Sequence, residues 1–337
     1  MVLMTGILNL TNISLPIATV LDEQLEEVSV ILERQLASDL SAVNTLCQHI
    51  EQYQGKRLRP MLVLLSGLAA GHAPWDGSGL THKHRVVAAV VELIHLATLV
   101  HDDVLDEAQI RRRVVTLNHL RGNETAVMLG DYLISNAFHL CSSIMEPAIN
   151  LTLGEITNTL CAGELLQLHH RDDYDIDETT YFEIVRRKTA SLIGECCRLG
   201  AMLSNDDVTV SEAMGRFGTQ LGIAFQIQDD LLDITGDENI VGKSLGKDLD
   251  AGKLTLPLIR CLAVADESQR GEVVALIAKR DADQLRRRLI ACGSVEKTRE
   301  QATQLVEDAK TELGVLDHGP ARELLQSLAD AVISRQF

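Results

Sequence analysis

The sequence predicts an all-α protein, a single-domain helical bundle around a central apolar cavity. Three observations predict it. Hydrophobic residues make up 46% of the chain but aromatic ones only 3%, and a core of Leu, Ala, Ile and Val suits packed helices better than aromatic-rich strands. Almost every segment repeats apolar residues at three-to-four-residue spacing, the period of a helix face. The few prolines fall between apolar runs rather than inside them, where they would break a helix.

The elements follow in order. LDEQLEEVSVILERQL (21–36) reads as an amphipathic helix with an acidic first turn. RPMLVLLSGLAAG (59–71) reads as a more buried one, with Pro60 near its start and Gly71 at its end, where helices tolerate these residues. HAPWDGSGLTH (72–82) is a loop. A nearly all-apolar helix is expected over 83–106 and an amphipathic one over 124–145. Further helices are expected over 150–170, 178–204, 210–235, 254–264, 270–291, 295–313 and 319–335. Two acidic or glycine-rich breaks stand out, HHRDDYDIDE (169–178) and GDENIVGKSLGKDLDAGK (236–253). No strand alternation, tandem repeat or low-complexity tract is visible. The runs 86–100 and 218–234 are too apolar to face water on any side. They belong at the centre of one domain over 1–337, with 1–20 as a peripheral segment.

The chain holds 31 basic against 48 acidic residues, a formal net charge of −17. That balance argues against a nucleic-acid binder, which needs a basic face to displace counterions. It also suits an anionic substrate only if metal ions intervene. The seven cysteines include no CxxC, and adjacent Cys196 and Cys197 make a poor disulfide pair. A reducing cytoplasm is the expected compartment. The first 20 residues lack the basic start and unbroken core of a signal peptide. No run reaches the roughly 18 apolar residues of a membrane span, so no transmembrane segment is expected. The apolar N-terminus leaves room for peripheral membrane contact.

HDDVLDEAQIRRR (101–113) concentrates charge directly after the apolar run VVELIHLATLV. On a helix, residues four apart share a face, so Asp102 and Asp106 project together with Asp103 beside them. Carboxylates so placed repel, and two readings compete. One is a solvated acidic helix end. The other is a site of hard oxygen ligands for a divalent cation, Mg²⁺ shared with substrate phosphates. A second copy decides between them: FQIQDDLLDITGD (225–237) sets Asp229, Asp230 and Asp233 at the same spacing below another apolar helix. Two such aspartate-rich helices facing one another would hold Mg²⁺ ions that bind a diphosphate and neutralise charge on a leaving group. The substrate's charge is then met by metal, which resolves the acidity of the chain.

Further motifs accompany the aspartates: GKRLRP (55–60), VELIHLATLVHDDVLDE (91–107), RR (111–112), GDYL (130–133), RRKTA (186–190) and GKSLGKDLDAGKLTLP (242–257). With these, the chain resembles the trans-isoprenyl diphosphate synthases, the polyprenyl synthetase family, and most of all its long-chain octaprenyl-type members. The resemblance implies one polyprenyl synthetase domain and a homodimer. It implies about three Mg²⁺ ions per active site, held through Asp102, Asp106 and Asp229. Asp103, Asp230 and Asp233 join the catalytic set. Lys56, Arg59, His95 and Arg112 are implied to bind isopentenyl diphosphate. Arg111, Lys188, Thr189 and Gln226 are implied to meet the allylic prenyl diphosphate, with Lys243 and Lys253 on a closing loop. Arginine suits this work because its planar fork grips phosphate oxygens in pairs and keeps its charge. Two departures from the family pattern stand out: Gln54-Gly55 replaces a glycine pair, and Arg113 replaces the glycine of RRG.

The implied reaction is head-to-tail 1′-4 condensation, trans in geometry, with pyrophosphate leaving an allylic cation that the isopentenyl double bond attacks. No side chain in the motifs is an obvious general base, so catalysis rests on charge stabilisation and positioning. Product length is expected to depend on residues one turn before Asp102. Ala97 and Thr98 are small, as in long-chain synthases that make quinone side chains, and imply a product of about C30–C50. Leu153, Phe138 and His139 are candidates for a deeper floor. The alternatives are a short-chain farnesyl or geranylgeranyl diphosphate synthase, a class I terpene cyclase, a head-to-head synthase and a non-catalytic synthase subunit. A cyclase needs neither GKRLRP nor a second aspartate motif, and a non-catalytic subunit should have lost some of the aspartates or arginines.

Overall fold

A computed structural model of the chain describes residues 15–53, 55–236 and 247–334. These are almost entirely helical and fall into two compact units. The first unit comprises the chain up to Thr157 with Glu195–Gly215 and Val315–Leu325. The second comprises Asn158–Gly194, Arg216–Gly314 and the chain from Gln326 onward.

In the first unit, α1 (Leu15–Leu36), α3 (Leu58–Ala70) and α6 (Asn123–Ser142) pack on α4 (His82–Leu105). The reason is in the sequence of α4: every residue from Val86 to Ile94 is buried, so the helix needs neighbours on all sides. Its first turn is closed by a histidine. Nδ1 of His84 lies 3.1 Å from the backbone N of Thr81 and 3.0 Å from its hydroxyl, and Nε2 lies 2.9 Å from Ser204 Oγ. Burial lowers the His84 pKa to about 4, so the cap is a neutral imidazole at neutral pH. The far end of α4 is the first aspartate motif: the Asp106 N–H donates to Asp102 O at 2.8 Å. Glu107, at φ +48°, then turns the chain away.

In the second unit, α8 (Glu178–Val185) packs on the helix Leu256–Val264, which in turn packs on Ala282–Ala291 and Ser294–Glu312. Tyr181, Val185, Leu256, Ile259, Leu285 and Leu289 form their common core, joined by Ile227 and Leu231. Helices α7 (Pro147–His169), α9 (Ser191–Met202) and α10 (Val208–Thr235) contribute residues to both units.

The all-α class and the long helices match the sequence periodicity, with four departures. Helix α2 (Ser41–Glu51) was not expected, because only Cys47 and Ile50 of it are buried and so narrow a stripe leaves little periodic signal. The absence of strands fails locally: β1 (Ile110–Arg111) and β2 (Val114–Val115) form a short antiparallel hairpin, followed by α5 (Leu117–Arg121). The expected helix over 178–204 is interrupted by a π turn at Arg186–Ala190. The expected helix over 270–291 is two, Glu267–Ala278 and Ala282–Ala291. They are parted by Arg280 at φ +54° and by Asp281, whose carboxylate caps the second by accepting the Gln284 N–H at 3.1 Å. Among the described residues no helix is long and apolar enough to cross a membrane.

Candidate active site

The first aspartate motif is not three equivalent carboxylates. Asp102 and Asp106 are half-buried, one turn apart. Asp103 points the other way and is buried, its side chain 2% exposed. Its Oδ1 accepts the Nε–H of Arg111 at 2.7 Å, and its backbone oxygen accepts the Asn118 side-chain amide at 2.9 Å. Its Oδ2 is buried with no hydrogen-bond partner among the described residues. Burial raises the Asp103 pKa and the Arg111 guanidinium opposes that rise. The middle aspartate thus ties the end of α4 to the hairpin, and the outer two stay together on one face.

Arg112 and Arg113 form the two-residue tip of that hairpin, at φ +49° and +68°. Positive φ at both central positions is the geometry of a type I′ turn, which favours Asn-Gly because other residues are strained there. This accounts for the backbone at Arg113: a third arginine occupies a left-handed turn position, exposed to solvent. Arg112 folds its guanidinium against the backbone oxygen of Tyr53. Gly55 makes room for it, since a Cβ there would stand 2.6 Å from the Arg112 Cζ. Its partner in the QG pair, Gln54, lies outside the described residues.

Around this hairpin the first unit gathers the groups expected to bind isopentenyl diphosphate. Arg59, in the first turn of α3, has its Nε buried without a hydrogen-bond partner among the described residues. Burial lowers its pKa, opposed by the nearby Glu92 carboxyl. His95 is pulled well below the usual histidine range, first by burial and then by Arg59, Arg112 and Arg111. It is therefore a neutral imidazole within a field of arginines. Lys56 is exposed on the loop before α3. Ala97 is fully buried. Thr98 is half-buried, and its hydroxyl donates to His95 O at 2.8 Å. Of the floor candidates, Leu153 is fully buried and Phe138 half-buried. His139 does not belong there: it is exposed, with Nδ1 at 3.1 Å from Gln35 Nε2.

The second motif repeats the division in the second unit. Asp229 and Asp233 are half-buried, and Asp230 is 3% exposed. Tyr181 donates its hydroxyl to Asp230 Oδ2 at 2.6 Å, and Gln226 donates its amide to Oδ1 at 2.9 Å. The Thr189 hydroxyl donates to Gln226 Oε1 at 3.0 Å. Two residues expected at the allylic diphosphate, Thr189 and Gln226, are thus links of one hydrogen-bonded chain ending on a buried carboxyl. Burial, then Asp248, raises the Asp230 pKa well above the usual range, while the Tyr181 and Gln226 bonds oppose it. Asp233 accepts the Asp248 N–H at 3.3 Å. Lys188, within the π turn, donates to Gln167 Oε1 at 2.8 Å and pairs with Glu164. Gly222 of α10 allows the π turn to approach, since a Cβ there would stand 2.7 Å from the Ala190 Cα. Lys253 is half-buried, its N–H donating to Asp248 O at 2.8 Å. Lys243 lies outside the described residues.

The model of the polyprenyl synthetase family matches residues 41–291, most of the chain. The chain belongs to the polyprenyl synthetase family. It is similar to the octaprenyl diphosphate synthase of Escherichia coli (strain K12), 34% identical over 312 residues, 91% of this chain and 94% of that one. The geranylgeranyl pyrophosphate synthase of Geoglobus acetivorans is 35% identical over 327 residues, 94% of this chain and 97% of that one. The crystal structure of polyprenyl synthase from Caulobacter crescentus CB15, complexed with calcium and isoprenyl diphosphate, matches with a TM-score of 0.86 at 31% identity. That likeness covers 96% of this chain and 98% of the other. The chain is accordingly a prenyltransferase of the all-α isoprenoid synthase fold.

Sequence reasoning passed over three residues of this synthetase. Glu92 stands on α4 one turn before His95, 3% exposed. Burial raises its pKa against the pull of Arg59, Arg57 and Arg112, which makes it a counter-charge inside the arginine cluster. Tyr181 holds Asp230, and Tyr53 meets the hairpin twice. A charged residue inside the apolar run VVELIHL was a signal for Glu92. The tyrosines carried none, since their partners lie 49 to 64 positions away.

Proposed function

We propose that this prenyltransferase condenses isopentenyl diphosphate head-to-tail with an allylic prenyl diphosphate, as a Mg²⁺-dependent single catalytic domain. The observation that carries the reading is the division within each aspartate motif. In both, the middle carboxyl is buried on partners of its own and the outer two remain together on a half-buried face.

The donor set fits Mg²⁺, a hard cation that takes carboxylate oxygens and fills its remaining positions with water and substrate phosphate. Among the described residues no three acidic, His or Cys side chains form a cage by themselves, which suits a metal completed by its substrate. Asp102, Asp106 and Asp229 are the proposed ligands. Bound there, Mg²⁺ supplies charge neutralisation to the departing pyrophosphate.

The chain's own residues do the rest. Lys56, Arg59 and Arg112 hold the diphosphate of isopentenyl diphosphate, and neutral His95 offers it a hydrogen bond without adding charge. Lys188, Thr189 and Gln226 orient the allylic diphosphate, and Arg111 binds it from the hairpin. The allylic C1–O bond breaks with its electron pair leaving on pyrophosphate. A bond then forms between that C1 and C4 of isopentenyl diphosphate, and the departing pyrophosphate takes a proton from C2 to restore the alkene between C2 and C3.

We assign a product of about C30–C50, of the kind used for quinone side chains, because Ala97 and Thr98 are both small. Similarity to a geranylgeranyl pyrophosphate synthase favours the short-chain alternative. A homodimer is supported by the exposed apolar residues Leu120, Val127 and Met128 on α5 and α6, and the cytoplasm is the proposed compartment. The test is a product assay with radiolabelled isopentenyl diphosphate, farnesyl diphosphate and Mg²⁺. Products that stop at C15 or C20 overturn the length; no incorporation overturns the reaction.

A further inference from the structure

We infer that Tyr53 is a positioning residue for Arg112, an inference that rests on the proposed role of Arg112 in binding isopentenyl diphosphate. Tyr53 stands between α2 and the segment that carries Lys56 on its loop and Arg59 in the first turn of α3, and its side chain is fully buried. It meets the hairpin at two points. Its hydroxyl accepts the N–H of Leu117 at 2.7 Å, where β2 gives way to α5. Its backbone oxygen accepts from the Arg112 guanidinium.

The turn needs such an anchor. Arg112 and Arg113 both hold positive φ, a left-handed conformation that is unfavourable for residues other than glycine. The turn keeps this shape because its flanks are pinned. Arg111 is held to Asp103 at 2.7 Å, and the Thr116 N–H donates to Gln109 O at 3.0 Å. A further point is Leu117 on the Tyr53 hydroxyl. His49 completes the seat: its ring lies edge-on to Tyr53 at 5.8 Å, and its Nε2 is 2.8 Å from Val115 O. Burial and the nearby Asp103 carboxylate push the Tyr53 pKa to about 12, so the hydroxyl stays intact across the working range of pH. One residue thereby joins the segment bearing Lys56 and Arg59 to the hairpin bearing Arg112.

Tyr53→Phe keeps the ring and deletes only the hydroxyl, which separates positioning from core filling. The experiment is steady-state kinetics of the full chain with Mg²⁺, varying isopentenyl diphosphate and farnesyl diphosphate separately. The expected result is a rise of about tenfold in KM for isopentenyl diphosphate, the effect of leaving one buried N–H without its partner. KM for farnesyl diphosphate and kcat stay within about twofold. In an Arg112→Lys background the same deletion adds less than about twofold, since coupled residues are not additive. Unchanged KM for isopentenyl diphosphate in Tyr53→Phe, or equal rises for both substrates, overturns the inference. Wild-type protein that consumes no isopentenyl diphosphate sinks the proposed function itself, and this inference with it.

Discussion

Arg111 reaches back along the chain to Asp103, its Nε donating to the buried Oδ1 at 2.7 Å. This bond sets the middle aspartate of the first motif apart from its neighbours. Asp102→Ala is therefore expected to lower kcat by about 10³-fold with little change in stability, as loss of a metal ligand does. Asp103→Asn is expected to cost about 1–3 kcal/mol of stability, because Arg111 loses its charged partner. Urea unfolding and turnover measured on the same two variants check this. A stability loss in Asp102→Ala matching that of Asp103→Asn would contradict the division.

Asp230 gives the matching prediction in pH. Its pKa in the folded protein is raised above the ordinary aspartate value of about 3.9, so the fold prefers the protonated form. The stability this contributes is present below about pH 3.9 and is lost as pH rises through the raised folded value. Asn at 230 keeps an acceptor for Gln226 and carries no charge to desolvate. In metal-free protein, Asp230→Asn is expected to melt above wild type at pH 8, on the order of 2–4 °C, with the difference fading toward pH 4. A difference that grows on acidification would reverse the sign and refute the argument.

The tip of the hairpin offers a gain. Arg113 sits at φ +68° with an exposed side chain, and glycine carries no left-handed penalty. Arg113→Gly is expected to stabilise the protein by about 1 kcal/mol, measured by denaturant unfolding. Activity should hold, since no role has been assigned to this side chain. A destabilised variant would show that the Arg113 side chain makes a contact worth more than the strain.

Product length is best probed at Thr98. Ala97 is fully buried, so a bulky residue there overpacks the core at a cost of about 1–3 kcal/mol and confuses folding with length. Thr98 is half-buried and can accept a larger side chain. Thr98→Phe is expected to shorten the main product by at least two isoprene units, read by chromatography of the dephosphorylated alcohols. An unchanged product distribution would remove Thr98 from the tunnel wall.

The helices and the two aspartate motifs were legible in the sequence because both are local patterns: a period of 3.6 and a spacing of four. The inequality within each motif was not. Asp102 and Asp103 are the same residue type side by side, and only tertiary burial and Arg111 distinguish them. The hairpin escaped because IRRRVV holds no Asn-Gly or glycine to announce a two-residue turn. Tyr53 escaped because its partners are supplied by a distant segment. The RRKTA motif was found, but its wide turn was not, since a π turn leaves the apolar pattern on either side intact.

That wide turn makes the length of the segment as binding as its chemistry. Each residue advances an α-helix by about 100°. A π turn winds one residue more into the helix than regular geometry would, so deleting any one residue from Arg186–Ala190 would restore regular winding and leave the downstream helix in phase. Leu192, Ile193, Cys196 and Cys197 would stay interior, and the loss would fall on Lys188, which would give up the offset from which it reaches Gln167 and Glu164. The extra residue at 186–190 thus serves the local placement of Lys188 and Thr189 and not the packing of the helix that follows.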